Sequence, residues 1–242
     1  MAGSGGAGMS SKRAFQIVAD LAWPQRHSEP TLLADQLVAT AQQSLSVTGV
    51  GLAWMNSGLP GGLVAATDER ARRIEELQFT LGEGPCTACA ITGRPVLVDD
   101  LTVQGELWPR FTAGAVEAGV AAVFSFPLQL GGVTFGVLDL YRDTPGALPV
   151  ADAAEAGAVA TVGTWVLLHL QPGLQDETRF PDLTERLADR LQVHRAAGLL
   201  AVQLELSVTD ALNILRTRAS SDNRPITDLA HAVLHHTDTF DR

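Results

Sequence analysis

Residues 120–141 read VAAVFSFPLQLGGVTFGVLDLY, two apolar β-rich runs separated by Gly131-Gly132. Two adjacent glycines supply the positive φ angles that a tight hairpin turn demands, so this stretch predicts an antiparallel hairpin over 120–130 and 133–141. Pro127 has no N–H to give a ladder and is expected at an edge or a bulge. Working outward, residues 149–170 form an Ala/Val/Leu-rich helix of about six turns at 3.6 residues per turn. Upstream, residues 49–55 and 63–66 read as strands around the dense turn chemistry of Asn-Ser-Gly-Leu-Pro-Gly-Gly at 56–62. Helical spacing recurs at 12–23, 31–45 and 68–78, with shorter helices at 85–92 and 111–118 and a short strand at 96–98. The first part of the chain is therefore α+β, an antiparallel sheet flanked by helices.

After residue 170 the pattern changes. Gln171-Pro172-Gly173 is expected to break the long helix, and Pro181 closes a polar segment. Beyond it no strand pattern remains. Residues 183–204 read as one helix, Ser207 to Asp210 resembles a capping box opening a second, and Pro225 opens a third. The expected division is a flexible Gly/Ala/Ser-rich tail at 1–11, an α+β domain with terminal helices at 12–170, a linker at 171–181 and a three-helix bundle at 182–242.

Charge limits the partners. The 242 residues carry 17 basic and 27 acidic side chains, for a net charge of −10, and 46% are hydrophobic. Residues 1–181 carry −8 and residues 182–242 carry −2, so neither part has the basic excess of a nonspecific nucleic-acid binder. Any nucleic-acid partner must be held by a local arginine patch, doubled by dimerisation. The composition excludes a wholly disordered chain, and no run of eighteen apolar residues suggests a membrane span. The expected location is the cytoplasm.

Residues 193–233 supply the first family resemblance. Ala196-x-Gly198-Leu199-Leu200, Ser207, Ala211, Leu215-Arg216-x-Arg218-Ala219, Asn223-Arg224-x-Ile226 and Asp228-Leu229-Ala230 follow in order. Together they resemble the ANTAR domain, the RNA-binding module of bacterial antiterminators. The resemblance implies binding of structured RNA hairpins, not DNA, through Arg195, Gly198, Arg216, Arg218, Asn223 and Arg224. A guanidinium can fork onto phosphate or stack on an unpaired base, and RNA loops are read by both contacts. Gly198 is expected where the first two helices approach closely. The family usually has Lys just before this glycine, whereas this chain has Ala197.

Residues 28–170 resemble a GAF domain of the kind that precedes ANTAR modules in actinobacterial regulators. The carrying residues are Leu81-Gly82-Glu83-Gly84-Pro85-Cys86, Gly93-Arg94-Pro95-Val96, Asp99-Asp100-Leu101, Trp108-Pro109 and Gly119-Val120. Phe126-Pro127-Leu128 and Gly136-Val137-Leu138-Asp139-Leu140 complete them. The resemblance implies a ligand cavity between the sheet and the inserted helices, and a homodimer formed through 12–46 and 149–170. Trp54, Trp108, Phe124 and Phe126 are candidate linings for a small-molecule pocket, or ordinary core. The Asn-Lys-Phe-Asp-Glu signature of cyclic-nucleotide binders is absent from the sequence.

Cys86 and Cys89 form a C-x-x-C at a helix start, where the helix N-terminus can favour a thiolate. They read either as structural residues or as a thiol/redox sensor. No metal site or cofactor is expected, because four ligands would need a second nearby pair. His231 and His235 share one helix face and read as solvated. No H-E-x-x-H, G-x-S-x-G or phosphate-loop motif occurs. The GAF-fold free methionine sulfoxide reductases use cysteines spread over the pocket, whereas these two lie within one helical turn. The sequence therefore predicts a non-enzymatic, signal-responsive RNA-binding antiterminator. The alternatives are a dimerisation or interaction module whose RNA surface has decayed, with Ala197 as the lesion, and a thiol sensor.

Overall fold

The computed structural model describes residues 30–56, 59–175, 181–235 and 240. The tail expected at 1–11, the helix expected at 12–23 and residues 176–180 of the linker expected at 171–181 lie outside them. The elements are α1 (Pro30–Ser44), β1 (Gly49–Asn56), β2 (Leu59–Ala66), α2 (Glu69–Leu81), α3 (Pro85–Thr92), β3 (Val96–Val98) and α4 (Leu101–Gln104). A 3-10 turn at Gly105–Leu107 leads into α5 (Pro109–Glu117), followed by β4 (Ala122–Leu130), β5 (Val133–Arg142) and α6 (Val150–Gln175). Three helices complete the described chain: α7 (Pro181–Leu204), α8 (Val208–Ser221) and α9 (Ile226–Leu234).

The hairpin lies at the heart of a five-stranded antiparallel sheet of order β2-β1-β5-β4-β3. Gly131 and Gly132 take φ of 60° and 81°, as the two-residue turn requires. Pro127 is tolerated for a topological reason. β3 pairs only with Val123, Phe124 and Ser125, so β4 has become an edge strand at Pro127, just before a register shift at Leu128/Gln129.

Alternation along the strands gives the sheet two unlike faces. Val50, Leu52, Phe124, Phe126, Leu128, Leu138 and Leu140 point to the side covered by α1 and α6. α6 is apolar over most of its surface, in keeping with its burial against the sheet and α1. Residues 150–170 are long and apolar enough to cross a membrane, but 61% of that stretch is buried inside the fold. The other face carries α2, α3 and α5. There, Ile74, Phe111, Val123 and Tyr141 form one apolar cluster, and Met55, Cys86, Cys89 and Val137 form another. The three C-terminal helices close on a core of small and branched residues, among them Ala196, Ala197, Leu200, Leu215, Ile226 and Leu229.

The structure corrects two sequence expectations here. Turn chemistry does not occupy all of 56–62: β2 begins at Leu59, with Met55 opposite Pro60 and Asn56 opposite Leu59, and register shifts absorb the irregular residues. Nor does Pro172 end α6, which continues to Gln175. Pro in a helix interior costs about 3 kcal/mol through its missing hydrogen bond and ring crowding. Leu167 and Leu170, on the turn before it, are 2% and 0% exposed. Burying two leucines contributes roughly 3–6 kcal/mol and anchors the helix up to the proline.

Candidate nucleic-acid interface

α8 is capped as the sequence predicts: Ser207 accepts from the Asp210 N–H at 3.1 Å. The helix ends at Asp222, and Asn223 takes φ 48°, a left-handed conformation that asparagine tolerates well. This turn swings Asn223 and Arg224 beside Arg216. Together with Arg110, Thr80 and Ser220 they line a groove of about 370 Å³ where α8 meets α2 and α5. Three guanidinium groups, from Arg110, Arg216 and Arg224, thus converge on one concavity. Arg110 comes from the sheet domain.

Each arginine is fixed in a different way. Arg216 Nη2 donates to the Phe79 carbonyl at 2.9 Å, at the C-terminal end of α2 where carbonyls lack helical partners and the helix dipole is negative. Its Nε is buried with no hydrogen-bond partner, and among the described residues no carboxylate pairs with it. Burial pulls the guanidinium down to about 10. Gly82 makes the approach possible. It is the left-handed cap of α2, with φ 66°, and any Cβ there would strike the Arg216 guanidinium. Arg110 sits at the start of α5, where Glu83 Oε1 accepts from the Arg110 and Phe111 N–H groups at 2.9 and 3.0 Å. Its Nη2 reaches across to Ser220 Oγ at 2.9 Å. Arg224 Nη2 donates to the Asp228 carbonyl at 2.8 Å.

The other expected RNA residues lie apart. Arg218 is exposed and paired with Asp222 at 2.6 Å, and its guanidinium stands 5.8 Å from the Phe240 ring centre. That contact holds Asp222 below the usual carboxylate range, chiefly through the Arg218 hydrogen bond. Arg195 is exposed on α7, outside the groove lining. Gly198 corrects an expectation: a Cβ there would meet nothing within 4 Å, so it does not mark a close helix crossing. Ala197 is 0% exposed and belongs to the bundle core.

The groove exists because the two domains are packed together. Phe79 of α2 is 2% exposed and is part of the three-helix core. Arg190 of α7 lies over its ring at 4.8 Å, and His194 meets it edge-on at 5.9 Å. Arg190 also grips Glu76 through Nε and Nη2. Arg110, Phe79 and Arg190 were missed by sequence reasoning. The signal that could have found Arg110 is Glu83, which caps its helix; Phe79 and Arg190 left no local signal.

Beneath α2 and α3, where the GAF resemblance implies a cavity, the structure places a buried polar cluster. Tyr141 donates to Glu75 Oε1 at 2.7 Å, Ser125 donates to Asp139 Oδ1, and Gln78 Oε1 accepts from the Cys86 N–H at 2.8 Å. Burial first, and the Asp139 charge second, push the Glu75 carboxyl well up. Burial raises Asp139 to about 6 against the pull of Cys86, Ser125 and Glu75. Burial followed by the Asp139 charge pushes the Cys86 thiol well up, and burial dominates for Cys89 as well. Although Cys86 stands in the first turn of α3, low dielectric and neighbouring carboxylates outweigh the helix start.

Of the four aromatics expected either as a pocket lining or as ordinary core, three share one cluster and Trp108 lies apart. Phe124 and Phe126 face α1 and α6, Trp54 packs at the margin of that same cluster, and Trp108 packs against the opposite one. The buried acids Glu75 and Asp139 were not picked out as a site; an acid in the otherwise apolar strand 137–141 was the available signal.

An antiparallel sheet with helices on both faces, joined to a three-helix module that shares an arginine groove with it, defines a protein of two packed domains. The GAF domain family model matches residues 27–164 and the ANTAR domain model matches residues 182–234. The chain belongs to the GAF family and continues into an ANTAR domain: it is a GAF-ANTAR two-domain protein. The fold is shared with the GAF domain from the Acinetobacter phosphoenolpyruvate-protein phosphotransferase, at TM-score 0.53 and 14% identity over 68% of this chain and 95% of that one. The free methionine-R-sulfoxide reductase from Neisseria meningitidis, solved with its substrate, is similar at TM-score 0.52 and 18% identity, covering 72% and 96%. The corresponding GAF domain from Coxiella burnetii gives 0.51 and 15%, covering 69% and 98%. No curated protein matches the chain.

Proposed function

We propose that this protein is a cytoplasmic, homodimeric antitermination regulator that binds structured RNA hairpins at the arginine groove, under control of its GAF domain. The ANTAR domain carries RNA-binding antitermination, and the GAF domain carries signal-sensing regulation. The observation behind the finer reading is the convergence of Arg110, Arg216 and Arg224 on one groove with Asn223 at its rim. Arg216 is a half-buried cation without a carboxylate partner among the described residues, an arrangement that is costly until an anion neutralises it. A phosphate in the groove would do so with charge-assisted hydrogen bonds. Control by the GAF domain then follows from shared parts. The Phe79 carbonyl that holds Arg216, and Arg110 itself, belong to the sensor, so a small-molecule signal that shifts α2 or α5 changes the spacing of the guanidiniums. The role is binding, not catalysis.

The decayed-surface alternative weakens because Ala197 is wholly buried, so a lysine there would not lie free on the surface. The thiol-sensor alternative weakens because Cys86 and Cys89 are buried at 3% and 0% exposure. For the dimer, α6 exposes a narrow stripe of Thr161, Trp165 and His169, with Trp165 61% exposed at its centre. The decisive test is a binding titration of the full chain against a tandem-hairpin transcript at several salt concentrations. Arg110→Ala should weaken binding about tenfold and reduce the salt slope by about 0.7–0.9, the value of one phosphate contact. Unchanged affinity in Arg110→Ala and Arg216→Ala would overturn the assignment.

A further inference from the structure

We propose that Glu75, Cys86 and Asp139 form a binding site for one thiophilic divalent cation, zinc-like in its ligand preference, on the inner face of the sheet beneath α2 and α3. One ligand atom from each residue lies within 4.8 Å of the other two, and all three residues are buried, at 3%, 3% and 0% exposure. A tetrahedral ion with bonds of about 2.0–2.3 Å sets its ligands roughly 3.3–3.8 Å apart, so closure by up to about 1.5 Å brings them into its sphere.

A second observation points into the same space. Asp139 Oδ2 is buried without a hydrogen-bond partner of sound geometry, although Oδ1 accepts from Ser125. With only the Cys86 thiol and the Glu75 carboxyl facing the Asp139 carboxylate besides Ser125, and neither in good geometry at Oδ2, that oxygen is better satisfied in a closed interior by a cation. Thr87 Oγ1 is likewise buried and unpartnered, and with Glu75 and Cys86 it lines a cavity of about 10 Å³. That is about the room one water needs, which supplies a fourth ligand.

The surroundings fix the trio in place. Tyr141 holds the Glu75 carboxyl, and Gln78 caps the start of α3 at Cys86. A Cβ on Gly51 would run into the Glu75 carboxyl, so glycine at 51 leaves room for it. Arg190, the cation facing the cluster from α7, is engaged by Glu76. Two carboxylates with a thiolate select zinc-type ions over magnesium or calcium, which take oxygen ligands alone. Ligation by Cys86 requires loss of its proton, which the ion's own charge drives. This inference stands independently of the RNA reading.

Cobalt(II) is the probe, added to the full-length, reduced, chelator-stripped protein. One equivalent should bind with a thiolate-to-cobalt charge-transfer band that zinc displaces and millimolar magnesium does not. The band should persist in Cys89→Ser and in His231→Ala/His235→Ala, and vanish in Cys86→Ser. Asp139→Asn should weaken binding tenfold or more. The chain has only two cysteines, so retention in Cys89→Ser assigns Cys86 even where Cys86→Ser fails to fold. Absence of a thiolate band in the folded wild-type protein, or its survival in folded Cys86→Ser, would overturn the proposal.

Discussion

A methyl group at position 82 would meet the guanidinium of Arg216, and the backbone there has φ 66°. Gly82→Ala therefore carries a left-handed penalty of about 1–2 kcal/mol and also drives Arg216 from the α2 terminus. A urea melt should read that loss, and RNA affinity should fall with it. Asn223 offers the complementary probe. Asn223→Gly keeps the φ of 48° and removes only the side chain, so it should leave the melt unchanged while lowering RNA affinity. The cysteines make a further prediction. Both thiols are buried and pushed above their ordinary range, so a thiol reagent near pH 8 should label the chelated native protein far more slowly than the denatured one. Fast native labelling would contradict the buried placement. At this scale the sequence was partly readable. Arg216, Asn223 and Arg224 could be picked from the ANTAR pattern, whereas Arg110 could not. Its role depends on a contact to Ser220 across 110 residues, which no local pattern records.

Among the elements, α2 does the most to join the molecule together. Its first turns supply Ile74 and Glu75 to the sheet, and its last turn sends Phe79 into the three-helix core. Phe79→Ala should cost about 3–5 kcal/mol, as for other buried aromatics, and should fall on the docking of the two domains. Hydrogen exchange would read this as faster amides along α7 and α9 with β4 and β5 unaffected. Uniform acceleration across the sheet would argue against it. The hairpin, the caps of α8 and the long apolar α6 were legible because local chemistry and burial agree there. Two boundaries were not. Pro172 and the Gly/Pro run at 60–62 look like breaks in isolation, yet long-range packing and strand pairing with register shifts carry the elements through them.

For the whole molecule, the division of labour between the sheet's faces sets what each part can do. One face is closed by α1 and α6, the other by the helices that build the arginine groove and cover the buried Glu75, Cys86 and Asp139. Trp165 on the outer stripe of α6 contributes little to either interior. If the proposed homodimer forms through this stripe, Trp165→Ser should leave the thermal melt in place and shift sedimentation from dimer to monomer; an unchanged dimer would remove this surface from the assembly. Overall domain order was visible from the abrupt loss of strand patterning after residue 170, but the joint between the parts was not, since Phe79 and its partners are more than a hundred residues apart. That joint bears on how such chains can be recombined. Because the ring of Phe79 completes the hydrophobic interior of the downstream helices, a severed C-terminal fragment would be missing a piece of itself. A chimera with a foreign sensor would inherit the same deficit unless the incoming partner offers an aromatic side chain and a free helix-end carbonyl at the matching place.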